Sequence, residues 1–600
     1  MQISVLWRKI KLVYDESLCL RLLDRFLTFL ACLFASSVFF RGLFVNDTDK
    51  LKESFVYKFI HAILSVPERI RDRGFADYWN SSAIVILIKN LPQTLFSLRP
   101  RDIGYGVISG CAVNLLIARE LTTAYYALFA FAALCLFIKT KIYDLCAGSA
   151  VCNFFCHVFD FGFPRLKTKK PEPFIPVVYG IYGGFIFAAL PFTSAAVLFV
   201  FPCILIVIAY PYIAVLAAVA LMPFVPTMLM AAIIVGIFCL FLLKLLTDKR
   251  YSIKLDILGL FIIIYIFITL FMGFASLAPA ASINIALLTS LFMAVYFPVV
   301  SMTTTKKRFE SLILVFSTSA LFTALYGFMQ ILSGQRNMTW VDKELFIELG
   351  FRVFSTFANP NVYGAYLLLA IPIAFIGFVL AKRFLLKFYY LAVAGLLVVI
   401  LGLTYSRGCY LAVLLAAVVF VFIMDKRLIA FLSLGVFIIP AIIPVTMFNR
   451  LMSIGNLEDS SSVYRLSIYQ ASIRVIRRFW YTGIGQGSEA FNTVYRLFSF
   501  NAVPTPHSHN LFLQVFIETG IFGFAAFIGI IYCFFKTLLP FIKKTENIKY
   551  KYVAAILVSM MIGFLLQSIF DYTFYNYKIH MLFFAGLALA KTCVTCGERK

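Results

Sequence analysis

Long uncharged apolar runs separated by short basic turns dominate the chain from residue 174 onward. A helix rises ~1.5 Å per residue, so a run of about 20 residues crosses a hydrocarbon layer of ~30 Å. The pattern predicts spans near 174–191, 194–209, 211–222, 225–247, 255–276, 281–301, 309–333, 361–381, 387–404, 408–424, 428–447, 510–535, 552–571 and 577–592. The run at 211–222 is too short to cross alone and reads as half of a broken helix. The runs are apolar throughout instead of alternating, so a closed β-barrel is not expected. The expected fold class is an all-α polytopic membrane protein with about 12–15 transmembrane helices.

Residues 1–170 depart from this pattern. Apolar stretches at 26–45, 104–120, 122–138 and 143–163 are short, or broken by Arg41, Arg119, Asp144 and Asp160. Basic amphipathic pieces lie around Phe55–Leu64 and Pro67–Arg73. We read 1–170 as a membrane-associated extension with one or two spans and interfacial helices, and 171–600 as the multi-span domain.

The placement of charge orients the spans. Lys249-Arg250, Lys306 to Arg308, Lys382-Arg383, Lys426-Arg427, Lys543-Lys544 and Arg599-Lys600 fall on one face, which the positive-inside bias makes cytoplasmic. The other face receives Gly334–Pro360, the turn Thr404–Gly408 and the long loop Asn449–His509. In that loop Asp459 to Ser462 can cap a helix from Val463 to Phe479. Helical pitch sets Arg465, Tyr469 and Ser472 on one side and Arg474 opposite. Thr482 to Gly487 reads as a glycine turn. Arg352, Arg407, Arg465, Arg474, Arg477 and Arg478 lie outside against the topological bias and need another reason to be there.

Composition agrees with the membrane reading: 62% of residues are hydrophobic and 14% charged, with a mean hydropathy of +0.93, where soluble domains carry roughly 25% charged residues. The net charge of +25 sits in short loops and points to topology and anionic headgroups, not to nucleic acid. Most of the 13 cysteines fall in apolar runs. Cys593-x-x-Cys596, in the expected cytoplasmic tail, is a weak metal or redox signal. Cys146, Cys152 and Cys156-His157 match no zinc spacing. Lys9, Lys11, Asp15 and Glu16 interrupt the start, which does not read as a cleavable signal segment. No phosphate-loop or dinucleotide motif is present, so nucleotide-powered chemistry is not indicated.

Two of the five histidines, His507 and His509, end the long loop beside Asn510, a good helix cap. A helix N-terminus disfavours a further positive charge, and a neutral imidazole accepts a proton near neutral pH. His509 is thus a candidate base, with a capping or headgroup-binding histidine as the plainer alternative. His507 would orient it or touch substrate. The pair could ligate a metal, but no acidic residue stands at a ligand spacing, so no metal is assigned. Arg407, in the turn Tyr405-Ser406-Arg407-Gly408, and Arg465 each offer a planar fork suited to phosphate oxygens, or snorkel to headgroups. Arg352 precedes Asn359-Pro360-Asn361, a turn that also suits helix capping. Glu518 follows His509 by nine residues, on the far side of the helix, and is expected to bond a neighbouring helix.

Taken together, these pieces resemble the O-antigen ligase and polymerase superfamily. The resemblance runs from about 310 to 592 and rests on Arg352, Asn359-Pro-Asn361, Ser406-Arg407-Gly408, Arg465, Gly483-Ile-Gly485, His509-Asn510, Leu513 and Glu518-Thr-Gly520 in this order. It implies a metal-independent, cofactor-free glycosyltransferase in a bacterial cytoplasmic membrane. Such an enzyme takes a glycan from an undecaprenyl pyrophosphate carrier on the outer face and passes it to a glycan, lipid or protein acceptor. On that resemblance His509, Arg407 and Arg465 are the catalytic residues and Arg352 is a further contact. His507, Asn361, Ser406 and Tyr469, which lie beside them in the sequence or on the same helix face, are expected to contact substrate with Arg352. A polymerase joining lipid-linked units would use the same residues. A flippase would show related halves and polar groups at mid-membrane, and neither is seen.

Overall fold

A computed structural model describes residues 52–83, 96–118, 123–158, 210–335, 351–425, 444–452, 460–499 and 505–599, with residue 25 and scattered positions between these ranges. The expected stretches at 26–45, 174–191, 194–209 and 428–447 lie wholly or mostly outside the described residues, as do Asp459 and the basic run 165–170. The described residues are helical and contain no strand. Ten helices among them are long and apolar enough to cross a membrane. The protein is therefore an all-α, multi-pass membrane protein.

We number the helices α1 Thr227–Thr247, α2 Ile257–Phe274, α3 Pro279–Met302, α4 Lys306–Leu332, α5 Pro360–Leu380, α6 Phe384–Leu403 and α7 Arg407–Met424. Between spans come α8 Val445–Met452, α9 Ser460–Phe479 and α10 Ser488–Phe498, followed by α11 Leu511–Lys544, α12 Ile548–Phe570 and α13 Tyr577–Glu598. The chain divides into two compact units, one of residues 66–217 and 237–252, the other of 1–65, 218–236 and 253–600.

In the first unit Pro100–Ala118 packs on Thr123–Leu136. Gly104 permits the approach, since a Cβ there would lie 2.9 Å from the Ala132 carbonyl oxygen. Buried Arg71 donates to the Leu245 and Tyr251 carbonyls at 3.4 and 3.2 Å. In the second unit the amphipathic helix Phe55–Leu64 is capped by Ser54, whose hydroxyl accepts from the Tyr57 amide at 3.2 Å.

The core of the second unit is α5 with α12 and α13, whose residues are mostly buried. Apolar surface gains little from leaving lipid, so close backbone approach and dispersion decide which helices pair. Gly563 of α12 meets α7 so tightly that a Cβ would lie 2.8 Å from the Ala412 carbonyl oxygen. This contact sets the start of α7, with Arg407 and Gly408, beside Gln567 and Phe570 at the end of α12. Cys593 and Cys596 are buried, free thiols in the last turns of α13, not in a tail, because that helix continues to Glu598.

The long loop folds onto α11. α9 begins at Ser460, three residues before the helix start at Val463 expected from sequence. Ile468, Val475, Phe491 and Tyr495 bury against Ile517. α11 kinks at Gly520, which takes φ +62°. The kink frees backbone groups that the glycine turn satisfies: Ile484 N–H donates to Ile517 O at 2.9 Å, Gly485 N–H to Glu518 O at 3.1 Å, and Ile521 N–H to Trp480 O at 2.8 Å. Only glycine fits at 483, where φ is +66° and a Cβ would lie 2.7 Å from both Glu518 O and Gly520 N. The two glycine motifs are thus halves of one joint.

Candidate active site

A polar pocket of about 510 Å³, its open mouth included, lies where these helices end. Four arginines line it: Arg352, Arg407, Arg450 and Arg465, with Asn361, Ser406, Gln567 and one carboxylate, Asp571. Arg407 is delivered by the α6–α7 turn, in which Tyr405 takes φ +52°. Arg465 comes from α9 and Arg450 from the last turn of α8.

Arg352 is held by the surrounding backbone. Its Nε donates to Thr404 O and its Nη2 to Asn361 Oδ1, both at 2.9 Å, while Val353 N–H donates to Leu403 O at 3.1 Å. Asn359 caps α5 by accepting from the Asn361 amide at 2.8 Å. The capping and the arginine-binding readings of Asn-Pro-Asn therefore both apply, the first to Asn359 and the second to Asn361. Burial and then the neighbouring charge of Arg450 lower the Arg352 pKa to about 10, so it stays cationic at neutral pH.

His509 stands at the pocket's edge, with φ +52°, a left-handed conformation that histidine tolerates better than most residues. Its Nδ1 lies 3.2 Å from Asp571 Oδ1. Burial pushes the Asp571 carboxyl up, but the hydrogen bond and charge of His509 and the charge of Arg465 outweigh it and hold the group below the usual carboxylate range. An ionised Asp571 accepts a hydrogen bond from Nδ1–H, which leaves His509 Nε2 to act as the proton acceptor. The acidic partner that no local spacing offered is thus supplied by a residue 62 positions away. Asp571 follows the last residue of α12, and no local motif marks it.

His507 is buried, and its Nδ1 accepts from the His509 amide at 3.2 Å. Its ring stacks on Tyr575 at 5.0 Å. Burial and the charge of His509 lower its pKa to about 3, so it is a neutral brace. Tyr469, expected to touch substrate, has its hydroxyl 3.1 Å from His509 O and 3.0 Å from Ile569 O, where it ties the histidine loop to the end of α12. Asn510 does the same, donating to Ile569 O at 2.9 Å while capping α11 through Leu513 N–H at 3.0 Å.

Glu518 bonds a neighbouring helix, as expected, at the N-cap of α10. It accepts from Gln514 Nε2 at 2.9 Å and from the Gly487 amide at 3.2 Å, and Gln514 Oε1 accepts from the Ser508 amide at 2.8 Å. This relay links the glycine joint to the histidine loop. Arg474 donates to Phe498 O at 3.0 Å and closes the end of α10, which gives a reason for its place outside, whereas Arg477 and Arg478 are exposed. Arg450, one residue inside the outer loop, lies outside against the same topological bias and is a further pocket residue that the bias alone could have marked.

Among the described residues one group could hold a metal: His507, His509 and Asp571, whose nearest ligand atoms lie within 4.8 Å of one another. Zinc bonds of ~2.0–2.1 Å would require ligand atoms roughly 3.4 Å apart. His507 Nδ1 is already occupied, and the Arg465 charge that lowers the His507 pKa also opposes a cation.

Fold and site together define a polytopic membrane protein with a cationic pocket and an adjoining imidazole–carboxylate pair. The family model described as O-antigen ligase matches residues 392–528. That stretch carries Arg407, Arg450, Arg465, both glycine motifs, His507 and His509, and bears out the resemblance read from the motifs there. Arg352, Asn361 and Asp571 lie outside it. The match supports an enzyme with glycosyltransferase activity of the O-antigen ligase kind. Nothing among curated proteins matches the chain.

Proposed function

We propose that the protein transfers a glycan from a polyprenyl diphosphate carrier to an acceptor hydroxyl on the extracytoplasmic side of a bacterial cytoplasmic membrane. The observation that carries this reading is the lining of one pocket by four guanidinium groups next to His509–Asp571. A diphosphate carries two or more negative charges and planar oxygen arrays that suit arginine forks. Arg407 and Arg465 hold it, Arg352 and Arg450 add to the field, and Asn361 and Ser406 line the same wall. The prenyl chain extends between spans.

In this reaction His509 Nε2 takes the proton of the acceptor hydroxyl. The hydroxyl oxygen forms a bond to the anomeric carbon as the bond from that carbon to the diphosphate oxygen breaks, with inversion. The bonding pair leaves on the diphosphate, where the guanidinium groups offset its charge. Asp571 holds the His509 tautomer and stabilises the imidazolium, which later releases its proton to the diphosphate or to water. The arginines do the work of a divalent cation, and the donor bond supplies the energy, so neither metal nor nucleotide is consumed.

The test is a reconstituted transfer assay with purified lipid-linked donor. Transfer is expected to persist in EDTA and to collapse in His509→Ala, Arg407→Ala and Arg465→Ala. Full activity in all three variants would remove the mechanism. A ladder of carrier-linked products would assign polymerisation; a single transfer assigns ligation.

A further inference from the structure

The end of α11 away from the histidine loop carries a second charged cleft, of about 870 Å³ with its mouth included. Its walls come from the start of α2, the last turns of α11 and the end of α13. Beyond its kink at Gly520, α11 runs from Ile521 to Lys544, roughly 36 Å against a hydrocarbon layer of ~30 Å. The Lys544 end of the cleft therefore lies at headgroup depth.

Not all of the charges in the cleft are free to bind. Asp256 caps α2 by accepting from Gly259 N–H at 2.8 Å, accepts from Tyr296 OH at 3.0 Å, and pairs with Lys591 at 3.4 Å. That pair is internally balanced. Lys536 and Lys544 then face a single carboxylate, Glu598, leaving one net positive charge. Below them Leu258, Phe541 and Val594 make an apolar wall. Ammonium groups on flexible stems accept a phosphate without demanding one orientation. A single phosphodiester balances the charge, and an acyl chain covers the wall.

We propose that this cleft binds an anionic phospholipid, with its phosphate between Lys536 and Lys544 and its acyl chain along Leu258, Phe541 and Val594. The test uses the full chain in detergent, native mass spectrometry, and phosphatidylglycerol and phosphatidylethanolamine of matched acyl chains. The wild-type chain is expected to retain phosphatidylglycerol at least tenfold more strongly. Lys536→Gln with Lys544→Gln removes that preference, and Lys536→Arg with Lys544→Arg keeps it. Equal retention of the two lipids by wild type overturns the proposal whether or not the glutamine variant folds. So does undiminished preference in that variant, or displacement of the lipid by millimolar inorganic phosphate, which would mark a free-anion site. No arm measures glycan transfer, so the outcome is independent of the catalytic reading.

Discussion

At one end of α11 the cations are arginines that line a polar pocket beside buried carbonyls and amides. At the other they are lysines on an open cleft with an apolar floor. Both ends concentrate positive charge, yet the chemistry differs. Arg352 is half-buried and still cationic, its fork committed to Thr404 and Asn361. An ammonium in that place would tend to shed its proton, because burial disfavours charge and lysine gives way more readily than arginine. The arginine end is suited to an anion whose position matters, the lysine end to one whose position does not.

The sharpest way to break this comparison is to remove the base. His509→Ala should lower single-turnover transfer by about 10³-fold with donor affinity nearly unchanged, since a positioned base contributes ~10²–10⁴. Arg465→Lys keeps the charge but loses the fork, and should cost on the order of 10² in kcat/KM for the donor, within the range of a lost transition-state donor. If lysine serves as well as arginine there, the distinction between the two ends fails. Asp571→Asn should cost about tenfold in kcat with KM little changed, measured across pH, because the imidazolium loses its counter-charge.

Two smaller effects probe the support of the loop. Gln514→Ala should lower stability by about 1–3 kcal/mol, seen as a lower melting temperature, because the Ser508 amide loses its acceptor inside the protein. His507 has a folded pKa depressed to about 3 from 6.5. Its neutral form is favoured in the fold, so the associated stability is fully present above pH 6.5. It is lost as pH falls towards 3, because the unfolded chain takes up the proton first, by up to ~1.4 kcal/mol per pH unit. Melting curves of wild type from pH 8 to 5 should fall more steeply than those of His507→Gln.

Much of the fold was readable because apolar run length is a local property. The spans predicted from 225 onward, apart from 428–447, which lies mostly outside the described residues, reappear within a few residues of their ends, except that α11 runs on to Lys544 and α13 to Glu598. Both extensions are basic or polar turns that a hydropathy pattern trims away. The outer arginines stood out because they contravene a topological bias that acts residue by residue, and His509 because it ends the polar loop beside a helix cap. Asp571 did not: a carboxylate just past a span reads as an ordinary helix end until the fold brings His509 to it. Tyr469 was read for its face of the helix, which is correct, but its hydroxyl partners are carbonyls from two other segments.

From the sequence alone come the membrane class, the helical periods, the polar loop and the residue types able to bind phosphate or move a proton, since each depends on neighbours within a few turns. Tertiary structure alone decided that Gly483 and Gly520 form one joint, that Arg450 joins the other three arginines, and that Asp571 turns one nitrogen of His509 towards itself and leaves the other free. The physical reason is that electrostatic and hydrogen-bond partners are selected by distance in space, and a close approach such as that of Gly563 to Ala412 is invisible until helices are packed.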